Sequence, residues 1–166
     1  MSHEITQRAD KSYEFAYART PAWHGLGSEL QPNATIEDWK IASGLEWEVF
    51  QSACMYQSID GTHMFDDKRV LFRSDSKKPL SVVGKDYKVV QPGQVLEFFR
   101  DLTELNGFKL SAAGSLFGGK KFWATADVGK TFNAVPGDEI KGYLLLVTSV
   151  DGTLSTQARF TSTRVV

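Results

Sequence analysis

The sequence predicts an α+β fold, a mostly antiparallel sheet with one main helix packed on a face plus a short N-terminal helix. Three observations carry that expectation. Val95, Phe98, Phe99, Leu102 and Leu105 recur at helical spacing between Pro92, suited to a first helical turn, and Gly107, suited to a stop. Gly118-Gly119 and Asp151-Gly152 each separate two strand-like runs, the signal of tight hairpins. Of the 166 residues, 42% are hydrophobic and 23% charged, a balance that builds a core.

Taken in order, residues 1–19 are polar and weakly patterned and read as an N-terminal arm, leaving 20–166 as a single α+β domain. Thr20 to Gly27 is a loop punctuated by Pro and Gly that carries Trp23 and His24. Thr35 is placed to cap a short helix, with Asp38 three residues on; Ile36, Trp39 and Ala42 share its inner face and Gly44 stops it. Leu45 to Met55 reads as a strand leading to a turn at Asp60-Gly61, and Lys68 to Arg73 and Leu80 to Val83 as shorter strands. After the main helix, Phe108 to Phe117 pairs with Lys120 to Val128, which sets Trp123 opposite Gly114. Tyr143 to Val150 pairs with Thr153 to Phe160. A two-residue turn there sets Ala158 opposite Leu145 and Phe160 opposite Tyr143, an apolar face expected to pack on the helix. The strand-like pattern runs to the last residues, so the expectation is a domain truncated at its C-terminus.

Composition excludes several classes. No apolar run approaches the roughly 20 residues of a membrane-spanning helix, so no membrane partner is expected. No secretory signal is visible at the start, and the single cysteine, Cys54, rules out a disulfide framework; both fit the cytoplasm. Three histidines and one cysteine make a structural zinc site improbable, and no metal or cofactor is expected. The net charge of −1 argues against indiscriminate coating of nucleic acid. Charge is uneven, however: residues 1–67 hold 4 basic and 11 acidic residues, whereas residues 68–88 hold 7 basic and 2 acidic. The basic segment reads either as a local anion-binding face or as lysine-guarded edge strands.

Gly114 to Lys120 fits the glycine-lysine pattern of a phosphate-binding loop literally, but Lys121 replaces the required Ser or Thr and a strand-like run follows instead of a helix. Nucleotide hydrolysis is rejected there. Trp123 either covers Gly114 or offers a platform beside Lys121 for stacking an unpaired base. Lys85, Tyr87 and Lys88 form a surface loop or a grip on a phosphate backbone. His24, His63 and Cys54 match no nucleophile–base spacing, and no catalytic residue is nominated.

On these residues the chain resembles a phage- and plasmid-related family known as domain of unknown function 932. The matching elements are Trp23-His24-Gly25-Leu26-Gly27, Gly44-Leu45-Glu46-Trp47, Val83 to Gln91, Ala113 to Lys121 and the Asp151-Gly152 hairpin. Val150 stands where members often carry His before the Asp-Gly. The resemblance implies a phage, plasmid or integrated element as origin, and no established activity. The leading expectation is an oligomeric accessory protein that binds single-stranded DNA or RNA in replication, recombination or defence. Lys85, Lys88, Lys120, Lys121 and Arg159 are its phosphate contacts, and Tyr87 and Trp123 its stacking residues. The alternatives are a non-catalytic protein-interaction or structural module, and an enzyme whose site residues lie beyond Val166.

Overall fold

The computed structural model describes residues 3–22, 24–133 and 139–164; Trp23 and the final Val165-Val166 lie outside the described residues. The elements run β1 (Phe15–Ala18), β2 (Ser28–Leu30), α1 (Ile36–Ser43), β3 (Val49–Ser58), β4 (Gly61–Arg73), β5 (Pro79–Gly84), α2 (Pro92–Glu97), α3 (Arg100–Asn106), β6 (Lys109–Leu116), β7 (Lys121–Asn133), β8 (Glu139–Ser149) and β9 (Gln157–Arg164). A six-stranded sheet has the order β2-β1-β6-β7-β8-β9, and β3-β4-β5 form a second sheet. Every pairing is antiparallel except the short parallel contact of β1 with β2.

The expected α+β class is thereby corrected. Half of the chain (50%) is strand and 16% helical, in two sheets rather than one sheet under a dominant helix. The helix expected over Pro92 to Leu105 is two short ones. Its hydrogen bonding changes at the aromatic pair: Phe98 N–H donates to Gln94 at 3.0 Å, but Phe99 N–H donates to Leu96, one residue closer. That tighter turn rotates the inward face. Leu96 and Phe99 are fully buried with Val95, whereas Phe98 and Leu105 of the expected stripe are exposed.

Local chemistry sets the rest. The Thr35 hydroxyl accepts from the Asp38 N–H (3.1 Å) while the Asp38 carboxylate accepts from the Thr35 N–H (2.9 Å), the reciprocal cap that starts α1. Gly44 ends α1 in the left-handed region at φ 70°. Residues 15–18, within the segment read as an arm, form β1, with Phe15 and Ala16 buried. One apolar cluster then joins Trp39 of α1, Val95, Leu96 and Phe99 around α2, and Val49, Leu71, Leu80 and Val83 of the smaller sheet. All of these lie on the face of the larger sheet that carries Phe122, Ala124 and Ala126. No helix among the described residues is long and apolar enough to cross a membrane.

Ion pairs tie the helices together and make stability sensitive to acid. Glu97 accepts from Arg100 (2.7 Å) and from Lys40 of α1, and Arg100 reaches Glu37 at 2.6 Å. Arg100 first, then Lys40, holds the Glu97 carboxyl at about 2, well below its usual 4.5. Arg73 likewise holds Asp75 at about 2, below 3.8. A carboxylate whose folded pKa is depressed stabilises fully above its unfolded pKa and loses that contribution as pH falls towards the folded value. The urea midpoint is therefore expected to hold steady down to pH of about 5 and to fall between about 4.5 and 2. Glu97→Gln should start from a lower midpoint and fall less; equal acid sensitivity in wild type and variant would remove Glu97 from the account.

Candidate nucleic-acid interface

Alternation along the strands of the larger sheet gives it a second, outward face. Register sets Phe15, Gly114, Trp123, Val147 and Gln157 in one row across five strands. The next row holds Tyr17, Ala112, Thr125, Leu145 and Arg159. Lys121 and Tyr143 share the face two positions to either side.

Gly114 is what brings the first row together. A Cβ on it would lie 2.6 Å from the Glu14 carbonyl oxygen and 3.2 Å from the Phe15 Cα. Without one, β1 lies flush against β6, and the Phe15 and Trp123 rings meet at 5.9 Å across the glycine. His24 stands edge-on to Phe15 at 5.2 Å. With His3, Ile5, Thr20 and Ala22 as a rim, these rings, Thr125 and Tyr143 line a cleft of about 550 Å³. Trp123 is half-buried in it.

Cationic side chains flank this cleft, with Asp151 near Lys121. Lys121 lies beside the cleft with its Nζ 5.2 Å above the Phe117 ring, and Arg159 is exposed on β9. Lys141 shares the strand face of Tyr143. Asp127, the acidic group on β7, is occupied by Arg19 at 3.5 Å. Burial, and then the charge of His3, pushes His24 below its usual value. Burial, and then Asp127, pushes the Tyr143 phenol up. Such a face offers stacking surface and cations.

The structure brings together three of the seven residues nominated from sequence: Lys121, Trp123 and Arg159. Lys120 sits half-buried in the connection before β7, its backbone carbonyl accepting from Val150 N–H at 2.9 Å. Tyr87 packs against the core cluster and donates its hydroxyl proton to the Ser149 carbonyl at 3.0 Å, which occupies the group nominated for stacking. Lys85 pairs with Asp67 at 3.1 Å, and Lys88 is exposed in the same loop, on the side covered by the smaller sheet. Nor does the 68–88 run form one patch: Arg73 is buried in an ion pair, and Arg69 folds back onto the carbonyls of Asp66 and Lys68.

The last hairpin explains how Arg159 arrives here. Val147 pairs with Gln157 and Leu145 with Arg159, one residue out of step with the expected register. A slip of one exchanges the faces of a strand. Leu144 and Leu146, not Tyr143 and Leu145, point into the core, and Arg159 turns to the Trp123 side. Sequence reasoning missed Tyr143 because its parity was assigned to the buried face, and Lys141 because it precedes the strand expected to start at Tyr143. Phe15 carried no signal, because β1 is too short to show alternation. Among the described residues no group of three or more His, Cys, Asp or Glu side chains converges as a metal site.

The model of one family, described as a domain of unknown function (DUF932), matches residues 79–166, from the start of β5 through β9. That stretch contains Val83 to Gln91, the Gly114–Trp123 pair and the whole β8–β9 pair. No curated protein and no solved structure matches the chain.

Proposed function

The chain belongs to the family of the domain of unknown function DUF932, and from that premise we propose that it binds single-stranded nucleic acid on the outer face of its six-stranded sheet. The observation that carries this reading is the half-buried Trp123 in an aromatic cleft with Lys121 and Arg159 on the same sheet face. An unpaired base brings a π-face to the indole, worth about 1–3 kcal/mol per base, and its flanking phosphates meet the cations. A duplex keeps its bases stacked inside and gains only the charge contact. The cleft volume falls in the range of roughly 300–1,000 Å³ that admits a small ligand, enough for one nucleotide. The wider role proposed is that of a cytoplasmic accessory protein of phage or plasmid type, acting in replication, recombination or defence without catalysis of its own.

Fluorescence anisotropy with labelled single-stranded and duplex oligonucleotides across a salt series tests the proposal. Tight binding that weakens linearly in log salt is expected, stronger for the single strand. Trp123→Ala should weaken it by about 5- to 150-fold, the equivalent of one lost stack. Lys121→Glu with Arg159→Glu should flatten the salt slope as well. Lys85→Glu with Lys88→Glu should leave affinity within about twofold, because those residues serve another surface. Absence of binding at low salt sinks the proposal.

A further inference from the structure

The two sheets present four edge strands: β2, β9, β3 and β5. An open edge offers unpaired N–H and C=O groups to any other strand, and proteins blunt such edges by shortness, charge or proline. Three of the four are blunted. β2 is three residues long and carries Glu29, β5 is short and opens on Pro79, and β9 carries the exposed Arg159. β3 is not. Its ten residues, VFQSACMYQS, contain no charge and no proline, and Phe50, Met55 and Tyr56 are 42%, 59% and 54% exposed.

The register of the open groups follows from Gln91. Its side-chain amide accepts from the Val49 N–H (2.7 Å) and donates to the Val49 carbonyl (3.1 Å), so Val49 faces away from β4 and is already satisfied. Alternation then turns the backbone groups of Gln51, Ala53, Met55 and Gln57 outward. The irregularity in the β3–β4 ladder lies on β4, where Phe65 to Lys68 stand against Cys54, so β3 itself runs on unbroken.

From this edge we infer that β3 pairs antiparallel with β3 of a second copy of this chain, about a two-fold axis at Cys54, joining the two small sheets into one of six strands. The occupant is a second copy because an uncharged strand is complementary to itself under a two-fold axis and meets no like charge. Gln51 then faces Gln57 of the other copy and Ala53 faces Met55, with about eight interchain hydrogen bonds. Phe50 lies opposite Ser58, Ser52 opposite Tyr56, and Cys54 opposite its own counterpart. That central pair is of the non-hydrogen-bonded kind, with Cα atoms about 4.5 Å apart, inside the span a disulfide bridges. The inference is independent of the nucleic-acid reading, which concerns the other sheet.

Light scattering on the eluting full chain, with oxidative cross-linking, tests it. The wild type is expected to run at twice the monomer mass and, on mild oxidation, to give a reducible dimer through Cys54. Gln51→Lys with Gln57→Lys sets lysine against lysine at both ends, on exposed positions that leave the monomer fold alone. It should halve the mass and abolish the cross-link, while circular dichroism stays unchanged. A monomeric wild type, a dimer indifferent to the two lysines, or a dimer without the Cys54 cross-link would each overturn the two-fold pairing. Nucleic-acid affinity measured on the same variant separates this result from failure of the cleft proposal.

Discussion

Replacing Arg73 by alanine is expected to lower the unfolding free energy by about 3–5 kcal/mol, the cost of stripping one partner from a buried ion pair. The Arg73 and Glu14 side chains are 6% and 2% exposed. The guanidinium donates to Glu14 through both terminal nitrogens, one at 3.2 Å, to Asp75 at 2.9 and 2.7 Å, and to the Gly118 carbonyl at 3.3 Å. It also lies 4.0 Å above the Trp47 ring, a contact that desolvation strengthens. Glu14 accepts from the Ser115 hydroxyl as well. This one residue of β4 thus holds the small sheet to the start of β1, to β6 and to the β6–β7 turn. Arg73→Ala leaves the Glu14 charge buried with a single hydroxyl for company. Urea denaturation is the measurement. Arg73→Lys should recover little, because an ammonium cannot reproduce the planar fork. Glu14→Leu with Arg73→Met should recover part of the loss, since both buried charges go together, while the buried Ser115 hydroxyl and the half-exposed Asp75 lose their partner. A loss below about 1 kcal/mol for Arg73→Ala would contradict the burial of the pair.

Gly114→Val is expected to cost about 1–3 kcal/mol, the usual penalty of overpacking, and to pull β1 off the sheet. The backbone of Glu14 and Phe15, not a flexible side-chain end, occupies the place of the new Cβ, so relief requires movement of the strand itself. Phe15 would leave Trp123 with it, opening one wall of the cleft. Nucleic-acid affinity should therefore fall in a protein that is still folded, and amide exchange at residues 15–18 should accelerate ahead of the rest of the sheet. A variant of unchanged affinity and unchanged exchange would show that the glycine is not what seats β1.

The two hairpins show how far local sequence reaches. The Gly118-Gly119 connection pins its register, and Gly114 does stand opposite Trp123. Asp151-Gly152 carries the same signal but builds a wider loop. The Asp151 carboxylate accepts from the Thr153 N–H (3.0 Å), and Ser149 and Leu154 exchange hydrogen bonds through the Ser149 hydroxyl. An aspartate that folds onto the backbone two residues on competes with the tight turn. Two residues of sequence do not tell the two outcomes apart.

What the sequence by itself determined is local and periodic: the Thr35–Asp38 cap, the left-handed stop at Gly44, the strands from Lys68 to Val83 and the first hairpin's register. Each depends on a few neighbouring residues, and their chemistry is complete within the segment. Only the tertiary structure decided which face of the large sheet is covered, where the helix breaks, and that Glu14 meets Arg73 across 59 positions of chain. A strand of period two offers two faces of similar character, and nothing within it says which one the helices and the smaller sheet will cover. The cleft at Trp123 exists because they cover the other one.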